Sequence, residues 1–354
     1  MLSQKIIKWY HQNRRDLPWR NTTNPYFIWL SEVILQQTRV NQGLPYYDAF
    51  ISQFPDVKSL AEATEEQILR TWQGLGYYSR ARNLHKTAKY IHENLSGIFP
   101  DNYQDLIRLP GIGPYTAAAI SSFAFSEKRA VVDGNVYRVL SRLYEIELPI
   151  NSSKGAKYFS ELANGLIPEH SPGDFNQGIM ELGATVCLPK NPACEQCPLM
   201  LECAARKNQT IDKFPVKQGK QKVRTRYFNY LIIKYQNKVY LQKRDQKDIW
   251  QGLYEFYLIE TQTKQETPEE FDDLMKPFSD GSGSTLSKIS SDVHILSHQR
   301  IEATFWLMEI EKIPLHLKES FFNRQEIEQL PKSRLVDKFL LKYHKLNITL
   351  TDKQ

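Results

Sequence analysis

Outside residues 187–203 the sequence has no cysteine, and its opening stretch, MLSQKIIKWYHQNRRDLPW, has no long apolar run. The second absence excludes a signal peptide or a membrane-spanning helix there, so a cytoplasmic chain is expected. In a reducing compartment, clustered thiols bind metal in preference to pairing as disulfides. No internal repeat occurs. Charge is only mildly one-sided: 46 Lys and Arg against 40 Asp and Glu leave a formal +6. That balance favours a polyanionic partner without demanding one.

What is present is length and a change of texture. With 354 residues, 41% of them hydrophobic, the chain can fill two cores, since one core rarely grows past roughly 250 residues. Up to about residue 205, apolar residues recur at three and four in IIKWY, FIWLSEVIL, EEQILRTWQ, LHKTAKYIH, YTAAAISSFAF and VYRVLSRLY. This is the periodicity of amphipathic helices. After the Lys-rich bridge KFPVKQGKQKVRTR the pattern shifts to YFNYLIIKY, VYLQKR, LYEFYLI, HILSH and EATFWLMEI, which read as strands, with SDGSGST at 279–285 as a loop. A helical domain at 1–208, a linker at 209–226 and an α+β domain at 227–354 are therefore expected.

The four cysteines, Cys187, Cys194, Cys197 and Cys203, are separated by six, two and five residues, with Pro189, Pro192 and Pro198 bending the chain between them. A loop this compact closes around one centre. On spacing alone, a structural zinc and a 4Fe-4S cluster stand level.

Two further features carry chemistry. In LPGIGPYTAAAI, Gly111 and Gly113 permit a tight turn and close backbone approach, and Pro114 suits the first position of a helix. The exposed amides of such a start bind anions, a nucleic-acid phosphate among them; a plain interhelical turn is the simpler reading. Asp133, in AVVDGNVYRVLSRL, is placed to cap the next helix. Glu32 falls inside a helix started by Asn24 and Pro25, with Ile28, Trp29, Leu35 and Gln36 three and four residues away. A Glu on that face either points to solvent or is half-buried. The second case raises its pKa and suits it to general acid catalysis.

Together these stretches resemble the helix-hairpin-helix superfamily of DNA glycosylases, and in detail the MutY-type adenine DNA glycosylases. LPWR at 17–20, SEVILQQTRV at 31–40, GLGYYSRARNL at 74–84, LPGIGPYTAAAI, VDGNVYRVLSRL, FNQGIMELGATVC and the cysteine spacing carry the resemblance across about the first 205 residues. It implies a mainly α helix-hairpin-helix glycosylase domain whose loop at 187–203 holds one 4Fe-4S cluster. That loop would present Lys190 to a DNA phosphate, with Arg206 and Lys207 just beyond. The implied reaction flips adenine mispaired with 8-oxoguanine or G out of duplex DNA and hydrolyses its glycosidic bond, leaving an abasic site. Glu32 would protonate the base at N7, Asp133 would face the oxocarbenium ion, and Tyr115 and Asn135 would support the intermediate. Arg20 and Gln177 match adenine contacts, with Trp19 and Leu75 near them in the pattern, while Gln37 and Tyr77 match wedging positions. Endonuclease III-like relatives carry a strand-cleaving lysine where this chain has Tyr115, so a monofunctional enzyme is implied.

The C-terminal strands, above all WQGLYEFYLIE, resemble the family's Nudix-like α+β domain, which reads 8-oxoguanine on the opposite strand. TPEEFDDLMK at 267–276 lacks the Glu-rich pattern of a magnesium-binding Nudix helix, so pyrophosphate hydrolysis is not expected. LSHQ at 296–299 matches a family loop written Phe-Ser-His: Ser297 and His298 are retained and Leu296 replaces the Phe. The implied partner is duplex DNA, with no membrane and no second copy of the chain. A catalytically silent DNA-binding protein and a small-molecule redox protein are the competing readings, and neither gives Glu32, Asp133 and Tyr115 a purpose.

Overall fold

The structure, a computed structural model, describes residues 1–219, 223–267, 286–313, 317 and 320–345. The expected loop at 279–285 and all but the first residue of the 267–276 segment lie outside the described residues. The chain forms two compact units: residues 1–62 with 83–219, and residues 63–82 with 220–354.

The first unit is helical. Each of the six stretches with helical periodicity lies in or overlaps a helix, and local chemistry explains where these start. Asn24 accepts a hydrogen bond from the Tyr26 amide and Pro25 opens the helix Pro25–Leu35. Pro114 opens Pro114–Phe125 after Gly113, and Asp133 caps Gly134–Tyr144 by accepting from the amides of Asn135 and Val136. Helix Pro25–Leu35 packs on Pro114–Phe125, while the helix Pro172–Thr185 touches Leu2–Asn13, Gly134–Tyr144 and Pro114–Phe125. That arrangement gathers three helix starts or interiors around one central helix. The core behind it includes Ile6, Val136, Leu140, Phe159, Phe175, Ile179 and Leu182, all nearly or fully buried.

Residues 209–219, inside the stretch read as linker, are bonded to this unit. Thr210 donates to Glu145, the Ile150 amide to the Val216 carbonyl, and the Asn151 and Gln218 groups bond each other.

The second unit is built on the long strand Arg224–Tyr235, which runs parallel to Gln299–Glu309 on one side. On its other side it pairs antiparallel with Tyr257–Thr261 and, at its far end, with Lys238–Tyr240. Strand Leu286–Ile295 lies outside Gln299–Glu309 as the edge. Helix Arg334–Lys345 contributes Phe339, stacked on Phe305 with ring centroids 4.0 Å apart. HILSH was expected as strand, but only His294 and Ile295 are in one: Leu296, Ser297 and His298 form the turn of a hairpin, closed by the Leu296 amide on the Gln299 carbonyl at 2.8 Å. Apolar alternation does not distinguish a strand end from a tight turn. Residues 63–82, expected with the helical domain, pack in this unit: Gln73 accepts from the Lys332 amide, Arg82 donates to the Gln251 carbonyl, and Glu66 accepts from Tyr254. Periodicity identified their helix and could not say which sheet or helix it would cover.

Candidate active site

A cavity of about 150 Å³ in the helical unit is lined by Trp19, Arg20, Glu32, Tyr115, Asp133, Asn135 and Gln177, among others. Seven residues singled out in the sequence, spread over 159 positions, are therefore brought to one place. Glu32 does not face solvent; it is 6% exposed. Burial pushes its carboxyl up to about 7, the nearby charge of Asp133 adds to the rise, and a hydrogen bond from Tyr115 and the charge of Arg20 pull the other way. The Tyr115 hydroxyl donates to Glu32 Oε2 at 2.5 Å.

Asp133 is held differently. Its Oδ1 accepts from the backbone amides of Asn135 and Val136 at 2.9 and 2.8 Å, and its Oδ2 from Asn135 Nδ2 at 2.7 Å. Burial raises this carboxyl and those hydrogen bonds oppose the rise. The helix-capping role read from the sequence is thus real, and the same carboxylate lines the cavity. Of the two acids, the one with a single phenol partner holds the proton more readily than the one that accepts from three N–H groups. Asn135 in turn accepts from Arg138, which also donates to the carbonyls of Cys187 and Gly183.

The same cavity is also lined by Arg15 and Glu181, which the sequence did not single out. Glu181, with its side chain wholly buried, accepts from Arg15 Nε at 2.7 Å, from Arg15 Nη2 at 2.7 Å and from Arg20 Nη2 at 2.6 Å. These contacts hold its carboxyl down at about 2 despite burial. Tyr10 donates to Gln177 Oε1 at 2.6 Å, and its ring lies 5.6 Å from the Arg20 guanidinium. Glu181 was discoverable: it is a lone acid in the apolar run GIMELGATV, the same signal that drew notice to Glu32.

The remaining candidates lie elsewhere. Gln37 and Tyr77 are exposed and both have left-handed backbones, φ 59° and 49°, a strained state for residues other than glycine. Leu75 belongs to the second unit. It is buried and lines a cavity of about 400 Å³ in the second unit with Tyr77, Trp250, Leu296, Ser297 and His298. There Tyr77 donates to Ser297 Oγ at 2.8 Å, and Ser297 Oγ lies 3.1 Å from His298 Nδ1. In the hairpin, Gly111 has φ 80°, and an added Cβ would lie 2.8 Å from Asn83 Cβ; at Gly113 an added Cβ would meet nothing within 4 Å. The turn thus requires the first glycine, while the second leaves its surroundings open. Lys190 is exposed.

Cys187, Cys194, Cys197 and Cys203 line one small cavity of about 30 Å³ with Arg142 and Arg206. Arg142 donates to Cys187 Sγ at 3.4 Å and to the carbonyls of Leu188 and Pro189, tying the loop to helix Gly134–Tyr144. Among the described residues, no three His, Cys, Asp or Glu side chains converge tightly enough to hold a single metal ion. No described helix is long and apolar enough to cross a membrane.

Comparison with known proteins places these features in a family. Residues 30–165 match the model of the HhH-GPD superfamily base excision DNA repair protein, and residues 229–342 match the NUDIX domain. A thermostable thymine-DNA glycosylase of known structure superposes with a TM-score of 0.53 at 31% identity, over 58% of this chain and 95% of that one. The adenine DNA glycosylase of Buchnera aphidicola subsp. Acyrthosiphon pisum is 40% identical over 72% of this chain and 73% of its own. That of Buchnera aphidicola subsp. Schizaphis graminum is 42% identical over 265 residues, 75% of this chain and 76% of its own. Because these relatives are at least 40% identical over more than two thirds of both chains, the chain belongs to the adenine DNA glycosylase family.

Proposed function

We propose that this member of the family excises adenine mispaired with 8-oxoguanine or G from duplex DNA and leaves an abasic site without cutting the strand. One observation carries the reading: two carboxyls from different helices, Glu32 and Asp133, share a small cavity, one pushed up to about 7 by burial and the other accepting three N–H hydrogen bonds. A flipped adenine enters the cavity with Arg20, Gln177 and Trp19 as its contacts. Glu32 donates its proton to N7; the C–N bond breaks as its electron pair leaves with the base. The resulting oxocarbenium ion faces Asp133, whose fixed negative charge is worth several kcal/mol in a water-poor site. Tyr115 and Asn135 hold the two acids in place, and Glu32, now ionised, takes a proton from the attacking water. No amine stands at position 115 to form a Schiff base with the sugar, which favours base release without strand cleavage.

Gln37 and Tyr77 act as wedges, and Ser297 with His298 contacts the base opposite adenine. In this reading the glycosylase domain is 1–208 along the sequence, with residues 63–82 packing in the second unit; the linker is 209–226, its first part bonded to the helical unit; the Nudix-like reader is 227–354; and the protein works as a cytoplasmic monomer. The four cysteines hold one 4Fe-4S cluster. All four cysteines line one cavity, and four thiolates are the donor set that such a cluster takes. Bound there, the cluster supplies a structural brace for the loop that presents Lys190 to phosphate.

The test is single-turnover incubation with an adenine:8-oxoguanine duplex, resolved with and without hot alkali. Breaks seen only after alkali are expected. Breaks without alkali would contradict the monofunctional assignment, and an absence of base release would favour a silent DNA-binding protein.

A further inference from the structure

Glu181 is the most completely buried charge at the cavity, yet neither a general acid nor a cation stabiliser needs it. Its carboxylate binds Arg15 through the backbone amide, Nε and Nη2, and binds Arg20 through Nη2. Arg20 also donates from Nη1 to the Arg15 carbonyl at 3.1 Å and lies over the Tyr10 ring, so three partners fix its plane. A planar guanidinium held in this way presents its remaining edge in one orientation. We propose that Glu181 is a positioning residue for excision: it locks Arg20 at the adenine pocket and offsets the arginine charge beside Glu32. The inference rests on the reading of Glu32 as general acid.

Glu32 is faced by charged and titratable groups from several elements. Tyr115 reaches it from helix Pro114–Phe125, Asp133 from the start of Gly134–Tyr144, and Arg20 from the turn Pro18–Arg20, with Arg15 and Glu181 behind Arg20. A cation favours the ionised carboxylate, which is the wrong form for a proton donor. With Glu181 ionised next to it, Arg20 contacts the base while its field at Glu32 is weakened. Replacing Glu181 with Gln leaves two arginines with no carboxylate between them, and Glu32 then gives up its proton at lower pH.

The experiment is the pH profile of single-turnover adenine release by the full-length protein on an adenine:8-oxoguanine duplex, for wild type, Glu181→Gln, Glu181→Asp and Glu181→Gln combined with Arg20→Gln. The alkaline limb of Glu181→Gln should move acidward by about one pH unit. Its deficit then grows from under about two-fold at pH 5 to about ten-fold at pH 8, above any constant loss from misplacing Arg20. Glu181→Asp keeps the charge, so its limb should stay at the wild-type position while its rate falls at every pH. Removing Arg20 as well should return the limb toward wild type. A folded Glu181→Gln with an unmoved limb overturns the proposal, as does a limb that moves in Glu181→Asp, which also decides the matter if the Gln variant does not fold. Absence of excision by wild type would instead strike the parent reading, leaving the two failures distinct.

Discussion

The Tyr115 hydroxyl donates to Glu32 Oε2 at 2.5 Å, joining two helices, Pro25–Leu35 and Pro114–Phe125, through the residue that would release a proton. This bond favours the charged form of Glu32 and opposes the effect of burial. Tyr115→Phe should therefore raise the Glu32 pKa further above 7 and shift the alkaline limb of excision to higher pH, while lowering the plateau rate. A limb that moves to lower pH would show that the phenol stabilises the neutral acid instead.

Glu32 also links the site to stability. Its native pKa of about 7 lies above the ordinary 4.5, so the native state loses stability relative to the unfolded chain as pH rises from about 4.5 to 7, and the loss is constant above that. Glu32→Gln removes this cost. The variant should lose base release while being more stable than wild type by about 3 kcal/mol at pH 8 and nearly equal to it at pH 4.5. Urea unfolding midpoints at the two pH values would check it; equal differences at both would mean that burial does not strain this carboxyl.

Asp133 combines a cap and a charge, and Asn caps a helix about as well as Asp. Asp133→Asn should leave the melting temperature within a few degrees of wild type and duplex binding largely intact, while base release falls by about 10²-fold or more. Retained turnover in single-turnover assays would remove Asp133 from the chemistry.

Gly183 allows two helices to approach: a Cβ there would lie 2.5 Å from Asn135 Cβ and 3.0 Å from its backbone. Gly183→Ala must push Asn135, and with it the Asp133 Oδ2 partner, away from its place. An overpacking cost of about 1–3 kcal/mol is expected, accompanied by loss of excision. Wild-type excision in this variant would show that the position of Asn135 is not critical.

Ser297→Ala removes the acceptor of the Tyr77 hydroxyl. If Ser297 contacts the base opposite adenine as proposed, excision from an adenine:8-oxoguanine duplex should slow several-fold relative to an adenine:G duplex. Equal slowing on both would assign Ser297 a structural role only.

The helices were legible because their caps and apolar periods are local properties. Asn24, Pro25, Pro114 and Asp133 stand where the chain itself requires them. The carboxylate site was legible in part, since an acid on an apolar helix face is visible without knowing what it meets. Its depth was not: only packing decides that Glu32 is buried and that Glu181 lies behind Arg20. The turn at Leu296–His298 was missed because the apolar alternation of the strand runs on into it.

The second unit is assembled from two stretches that synthesis delivers far apart in time. Residues 63–82 leave the ribosome before residue 220 is made, and at about 5–20 residues per second the interval of 138 residues (220 − 82) lasts roughly 7–28 s. Throughout it, Ile68, Leu69 and Trp72, all fully buried in the finished protein, have no sheet to cover them. The nascent chain thus carries a sticky helix for seconds, an opening for chaperones and for misassembly that a unit built from one continuous stretch would not have.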